Sequence, residues 1–234
     1  MIRKAMILAA GLGQRMRPLT DALPKPMLQV GGKPLLQYHL EALASAGIQE
    51  VIINLAYLGE KIREFAGKGE VFGLNIHYSE EPEPLETAGA LLHALPLLGD
   101  EPFILVNGDV WTDYPLITLA NHLLKVDEDA HLILVPNPEF HPNGDFSPNA
   151  VGQLEDNPQL EKFTFAGLSL IHPRLITTYP QKRRKFPLVD ALRYGIAKQR
   201  ISAEIHRGAW SDVGTPERLV ELDSQLNSHL GRST

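Results

Sequence analysis

The sequence predicts an α/β fold, a mixed and mostly parallel sheet with helices on both faces. Two patterns predict it. Short, uninterrupted apolar runs of strand length, as expected of strands buried on both faces, alternate with segments whose apolar residues recur at helical spacing. Strand–helix alternation at this spacing builds βαβ units, which place successive strands in parallel. The rhythm changes after Pro136, where proline, asparagine and glycine crowd residues 136–149.

The elements follow in order. Lys4–Ala9 is a continuous apolar run after its opening lysine and reads as a buried strand. Pro34–Ala46 is a predicted helix: Pro34 suits a first turn, Leu36, Leu40 and Leu43 recur on one face, and Gly47 stops it. Glu50–Leu55 is a second strand, Lys61–Phe65 a short amphipathic helix, Leu74–Tyr78 a third strand and Ala88–Leu95 a helix. Phe103–Asn107 is a fourth strand ending at Gly108-Asp109, followed by a helix over Pro115–Lys125 and a strand over His131–Val135. Beyond the break, Val151–Glu155 and Phe163–Ile171 read as antiparallel strands laid beside the sheet. Helix Leu188–Lys198, strand Ile201–His206 and helix Pro216–Leu226 complete the pattern. This is a Rossmann-like architecture in one domain spanning 1–234, with a nucleotide half over about 1–135 and a substrate half over about 136–234.

Composition narrows the chemistry. With 234 residues, 44% of them hydrophobic, the chain buries a full core without staples. It has no cysteine, which removes disulfides, thiolate nucleophiles and thiolate zinc sites together. Its nine histidines form no His-Glu-x-x-His pattern. A net charge of −6 argues against nucleic acid as a partner. No apolar stretch reaches the roughly 18 residues of a membrane span, and Met-Ile-Arg-Lys leads straight into a strand, so a cytoplasmic protein is expected. The basic run Lys182-Arg-Arg-Lys185 reads as a solvated loop. The oligomeric state, monomer or small homo-oligomer, is open at this point.

The chemistry concentrates after the first strand, in Leu8-Ala-Ala-Gly-Leu-Gly-Gln-Arg-Met-Arg-Pro-Leu-Thr20. The carboxyl end of a parallel strand is where such sheets bind ligands, and Gly11 and Gly13 let backbone N–H groups approach phosphate oxygens. A P-loop requires Gly-Lys-Ser/Thr where this loop has Arg15-Met16. A dinucleotide fingerprint requires a third glycine where Met16 stands, and an acidic residue about 20 positions on. Both fail. Arg15 offers a planar fork to phosphate oxygens, and Lys25, stiffened between Pro24 and Pro26, offers a compact charge. Asp109, set by a glycine turn at a strand end, suits Mg²⁺ on a triphosphate. Thr215 and Pro216 are explained locally as N-cap and first helical turn, which leaves Asp212 and Gly214 without a local reason.

The loop Gly-x-Gly-x-Arg-Met-x-Pro-Leu-Thr with its downstream Pro24-Lys25-Pro26 resembles the sugar-1-phosphate nucleotidyltransferase family, and the resemblance spans nearly the whole chain. It implies the nucleotide-diphospho-sugar transferase fold and a Mg²⁺-assisted reaction. Ala10, Gly11, Leu12 and Gly13 would cradle the nucleotide, with Arg15 and Lys25 on its phosphates. Asp212, in Trp210-Ser-Asp-Val-Gly-Thr-Pro, would join Asp109 on the metal. In Glu80-Glu-Pro-Glu-Pro-Leu-Glu-Thr-Ala-Gly-Ala90, Glu81 matches the family's base-reading position, and Thr87 to Gly89 would line base and ribose. A carboxylate there accepts from a pyrimidine N3–H, which favours uracil or thymine. Glu86 replaces the family's usual glycine. Asn107 is placed for a ribose or sugar hydroxyl, and Gly144, Asp145, Glu161 and Gly167 fall where the family makes its sugar contacts.

Several segments, among them Glu-Pro-Leu-Glu-Thr and Val-Asn-Gly-Asp-Val-Trp-Thr-Asp-Tyr, are most similar to the branch that joins UTP to N-acetylmuramate α-1-phosphate in cell-wall sugar recycling. No hexapeptide repeat follows residue 226, so no acetyltransferase module is expected. The expected substrates are therefore UTP and a sugar 1-phosphate. The alternatives are glucose or mannose 1-phosphate with UTP, dTTP or GTP. A catalytically silent nucleotide-binding subunit would have lost Arg15, Lys25, Asp109 or Asp212, and all four are present.

Overall fold

A computed structural model describes residues 1–230. Strand β1 (Lys4–Leu8) starts the sheet and ends in the glycine loop. A two-strand ribbon, β2 (Gln29–Val30) with β3 (Lys33–Pro34), leads into helix α1 (Leu35–Ser45). Pro34 is extended (ψ 147°) and stands just before the helix, which keeps it in the ribbon. Strand β4 (Glu50–Leu55), helix α2 (Gly59–Ala66), strand β5 (Asn75–Glu80), helix α3 (Glu86–Leu98) and strand β6 (Phe103–Asn107) complete the parallel units. Helix α3 runs past the predicted Leu95 to Leu98, with Pro96 inside its last turn.

Strand β7 (Val110–Thr112) precedes helix α4 (Leu116–Asn121) and strand β8 (Ala130–Val135). Helix α4 stops well before the predicted Lys125, because His122 turns extended (ψ 136°). Leu123, inside the predicted helix, and Val126, just past it, are 78% and 87% exposed. Strands β9 (Ser147–Pro148) and β10 (Leu154–Glu155) form a small ribbon of their own. Only the end of the predicted strand 151–155 is therefore a strand: Gly152 turns with φ +79° beside an exposed Val151. Strand β11 (Thr164–Ile171) is followed by helices α5 (Arg174–Thr177) and α6 (Leu188–Ala197), strands β12 (Ile201–Ile205) and β13 (Trp210–Asp212), and helix α7 (Pro216–Leu230).

The main sheet has the order β12-β8-β11-β6-β1-β4-β5. All neighbours are parallel except β11, which is antiparallel to both β6 and β8. The sequence placed this strand beside the sheet, and the structure inserts it in the middle. Seven of its eight residues are buried, a pattern that fits an interior position. One face packs on α1, α2 and α4 through residues such as Ile7, Leu40 and Ile53. The other packs on α3, α5 and α6 through residues such as Met6, Leu91 and Leu192. A third cluster joins Met16 of the glycine loop to Val30, Leu35, Val213 and Leu222. Through it, the loop after β1 is anchored to the last helix. Among the described residues, no helix is long and apolar enough to cross a membrane.

Candidate active site

The carboxyl ends of β1, β4 and β6 open into a cavity of about 240 Å³. Ala10 and Gly11 line it beside Lys25, Asn54, Glu81, Thr87, Asn107 and Asp109. A relay of hydrogen bonds ties its walls. Ala9 N–H donates to Asn54 Oδ1 (2.8 Å), and Asn54 Nδ2 donates to Glu81 Oε1 (2.6 Å). Glu81 Oε2 accepts from Leu85 N–H (3.0 Å). Three separate strand ends are thus held in register by one buried amide and one buried carboxylate, a fully partnered polar network. No Cβ contact would obstruct a side chain at Gly11, which leaves that backbone open to an approaching ligand. Gly13 serves differently. At φ +60° it packs on Thr20, whose Cγ2 would lie 2.8 Å from an added Cβ.

A second cavity, of about 350 Å³, meets the first at Asn107 and Asp109. Its walls carry Arg15, Phe140, Asp145, Phe165, Asp212 and Arg218. The seam is built by a ribbon. Strand β7 pairs antiparallel with β13, setting Asp212 opposite Val110, and Val213 N–H donates to the Asp109 carbonyl (2.9 Å). Two aspartates far apart in the sequence are therefore brought side by side, Asp212 at the end of β13 and Asp109 in the turn that leads into β7. Each is held by one cation through Oδ2: Lys25 Nζ is 2.5 Å from Asp109, and Arg218 is 3.1 Å from Asp212. Lys25 is buried, between a proline before its 3₁₀ turn and another inside it. Beneath the seam His39 of α1 is fully buried, and desolvation pushes its imidazole down to about 4, against the opposing pull of Asp109 and a backbone hydrogen bond at Val110.

Not every residue singled out in the sequence reaches these cavities. Leu12 is exposed and lines neither. Arg15 lines the second cavity, not the first, and has no ion-pair partner among the described residues. Gly89 lies under the 184–186 segment. Its N–H donates to the Phe186 carbonyl, and an added Cβ would come 2.5 Å from the Arg184 carbonyl oxygen, so its glycine serves packing. Thr87 spends its hydroxyl accepting from Leu188 N–H (2.8 Å). Gly167, at φ +76°, makes room for the Asn107 carboxamide, and Gly144, at φ +58°, turns against Asn137 and Lys162. Asp145 does line the second cavity, where Oδ2 accepts from Phe165 N–H (2.8 Å). Glu161 is exposed outside both cavities. Arg17 pairs with Asp21 (3.3 Å) on the surface.

Sequence reasoning missed Asn54, Phe140, Trp210 and Arg218. A lone amide at the end of an otherwise apolar strand was a usable signal for Asn54. Arg218 pairs with a residue six positions back, around a helix start, and its guanidinium lies 4.0 Å over the Phe140 ring. That contact joins segments no local pattern connects.

A family model described as nucleotidyl transferase matches residues 4–229, nearly the whole chain. The chain belongs to the nucleotidyl transferase family. Among characterised members, the N-acetylmuramate alpha-1-phosphate uridylyltransferase of Neisseria meningitidis is 45% identical over 94% of this chain and 97% of its own length. The mannose-1-phosphate guanyltransferase of Saccharomyces cerevisiae is 31% identical over 92% of this chain, which spans 62% of that protein. The glucose-1-phosphate thymidylyltransferase of Streptomyces griseus is also 31% identical, over 94% of this chain and 65% of its own length. A solved structure from Bacillus anthracis superposes with a TM-score of 0.85 over 96% of the chain and 95% of its own, at 19% identity, and shares the nucleotide-diphospho-sugar transferase fold.

Proposed function

We propose that this chain is a cytoplasmic uridylyltransferase that joins UTP to N-acetylmuramate α-1-phosphate, releasing pyrophosphate. The observation that carries the reading is the 45% identity, over nearly the full length of both chains, to an enzyme named for that reaction. The geometry supports it. Two cavities meeting at Asn107 and Asp109 suit two substrates whose reacting phosphates must be brought into line. The half over 1–135 supplies most of the nucleotide cavity, and the half over 136–234 most of the sugar cavity.

The donor set suits Mg²⁺. Asp109 and Asp212 each engage their cation through one oxygen, leaving the other for a hard ion that prefers one or two carboxylates plus phosphate oxygens. When bound there, the ion would neutralise charge developing on the α-phosphate. The chain's own groups do the rest. The Gly11 backbone admits the phosphates, and Lys25 is held by Asp109 at the seam, where its charge meets them. Glu81 fixes the base segment through Leu85, and its remaining acceptor capacity suits a pyrimidine N3–H. On the sugar side, Arg15 and Arg218 provide cations for a sugar phosphate and for the lactyl carboxylate that sets N-acetylmuramate apart from glucose or mannose.

A second reading, another hexose 1-phosphate, rests on the mannose- and glucose-1-phosphate relatives at 31% identity. Pyrophosphate release measured across UTP, dTTP and GTP against muramate, glucose and mannose phosphates decides between them. Highest kcat/KM for UTP with the muramate substrate is expected. Efficient turnover of glucose or mannose 1-phosphate without muramate turnover overturns the reading.

A further inference from the structure

At the end of the sheet away from these cavities, three side chains converge that the reaction does not use. His122 follows α4, Glu128 lies in the loop before β8, and His131 is the second residue of β8. Their ligand atoms all lie within 4.8 Å of one another. His131 and Glu128 are buried, His122 half-buried. His131 is level with Ile104 near the start of β6, through their shared partner Leu170, whereas the two cavities meet at that strand's far end.

An independent observation points to a ligand. His131 is only 5% exposed, yet among the described residues its Nε2 has no partner within hydrogen-bond distance, the Glu204 carboxylate facing it from 3.8 Å. The other ring nitrogen, Nδ1, is 2.6 Å from Ser202 Oγ. With the proton on Nδ1 and donated to Ser202, Nε2 keeps a buried lone pair, the arrangement that orients metal-binding imidazoles. A buried polar atom left without a hydrogen bond is destabilising, and a metal bond would recover that loss. Glu128 Oε2 accepts from Lys125 N–H (2.9 Å), which fixes the carboxylate on its loop. Glu204 stands 3.8 Å from His131 Nε2, its other oxygen held by the Tyr114 hydroxyl at 2.6 Å.

We propose that His122, Glu128 and His131 form a binding site for a divalent transition metal of the zinc type. Two imidazoles and a carboxylate are the donors such ions take in tetrahedral sites, and nitrogen donors disfavour magnesium and calcium. The carboxylates of Glu128 and Glu204 balance the ion's charge. The His122 and His131 rings stack at 3.8 Å with an interplanar angle of 21°. Capture turns the less buried His122 ring out of that stack to aim its nitrogen at the ion. The bound metal would staple the end of α4 and the 122–128 loop to β8.

Titrating the full-length protein with Co²⁺ tests this. The wild type is expected to take up one equivalent with intense visible bands of a tetrahedral site and a rise in melting temperature. His122→Ala, at a half-buried position away from the active site, should fold normally and lose affinity more than about tenfold, as should Glu128→Gln. Asp109→Asn should keep the bands, because the active-site carboxylates are not involved. The proposal is overturned if the wild type shows no such bands, if His122→Ala binds as the wild type does, or if Asp109→Asn abolishes the signal.

Discussion

The two cavities that meet at Asp109 are built in opposite ways. The first is walled by backbone and by partnered groups: Asn54 and Glu81 are buried and satisfied, and Thr87 is committed to Leu188. The second is walled by charged and aromatic side chains from distant segments, with Arg15 in no ion pair among the described residues and Arg218 shared between Asp212 and Phe140. A wall of satisfied groups is preorganised and holds one shape. A wall of loosely held cations and rings adapts. Family members that differ in their sugars would then differ mainly on the second wall. Asp109 belongs to both, so its loss should be the largest single effect. Asp109→Asn is expected to lower kcat by about a thousandfold while leaving the fold intact, since it removes the carboxylate proposed to hold Mg²⁺ and weakens the pairing with Lys25. Pyrophosphate release alongside a thermal melt checks this, and near-normal kcat would remove Asp109 from the seam's chemistry.

His39 supports that seam from below and gives it a pH dependence. Its imidazole falls to about 4 in the fold, against an ordinary value of 6.5. Between those values the unfolded chain binds the extra proton, so stability rises with pH and is complete above about 6.5. As pH falls towards 4 the loss reaches about 3 kcal/mol, of which about 2 kcal/mol appears between pH 7 and pH 5, where most carboxylates stay ionised. Urea unfolding at these two pH values should show that loss in the wild type and much less of it in His39→Gln. Equal losses in both would place the pH dependence elsewhere.

The same contrast governs how much was legible in the sequence. The first cavity is made of strand ends and the turns that follow them, so Gly11, Lys25, Glu81 and Asp109 were each visible in a contiguous motif. The second is assembled by topology: Arg15, Asp145 and Asp212 were singled out from their own motifs, but Phe140 and Arg218, which the fold brings to them, were not. β11 enters the middle of the sheet antiparallel, a placement its apolar run permits but does not state. The ribbon of β7 with β13 is only three residues long on each side, too short for any periodicity, yet it helps bring Asp212 to Asp109. Motif residues also proved to have ordinary duties: Gly13, Gly89, Gly144 and Gly167 all relieve close packing. Glycine patterns mark tight places, and tight places lie near sites without always touching ligands.

Arg218 probes the adaptable wall directly. Arg218→Met removes a cation held against Asp212 and Phe140 and should cut kcat/KM for the sugar phosphate by about ten- to a hundredfold, the worth of one charged hydrogen bond. The KM for UTP should stay within about twofold, since Arg218 does not line the first cavity. A matching loss on both substrates would mean that the walls are coupled through Asp212 and that the contrast between them fails.

The smallest expected effect tests the rigid wall at Glu86, which stands where the resembled motif has a glycine. Glu86 opens α3 at φ +61°, a left-handed conformation that costs an L residue about 1–2 kcal/mol. In an ordinary helix interior alanine is favoured over glycine by about 1 kcal/mol. Here the order should reverse: glycine adopts this φ freely and alanine does not, which outweighs glycine's greater loss of backbone freedom. Comparing the two substitutions with each other also cancels the loss of the Glu86 charge beside the helix N-terminus, common to both. Glu86→Gly is therefore expected to be more stable than Glu86→Ala by about 1 kcal/mol in urea unfolding. If alanine is the more stable, residue 86 is not held left-handed, and the wall between Glu81 and Thr87 is less rigid than its hydrogen bonds imply.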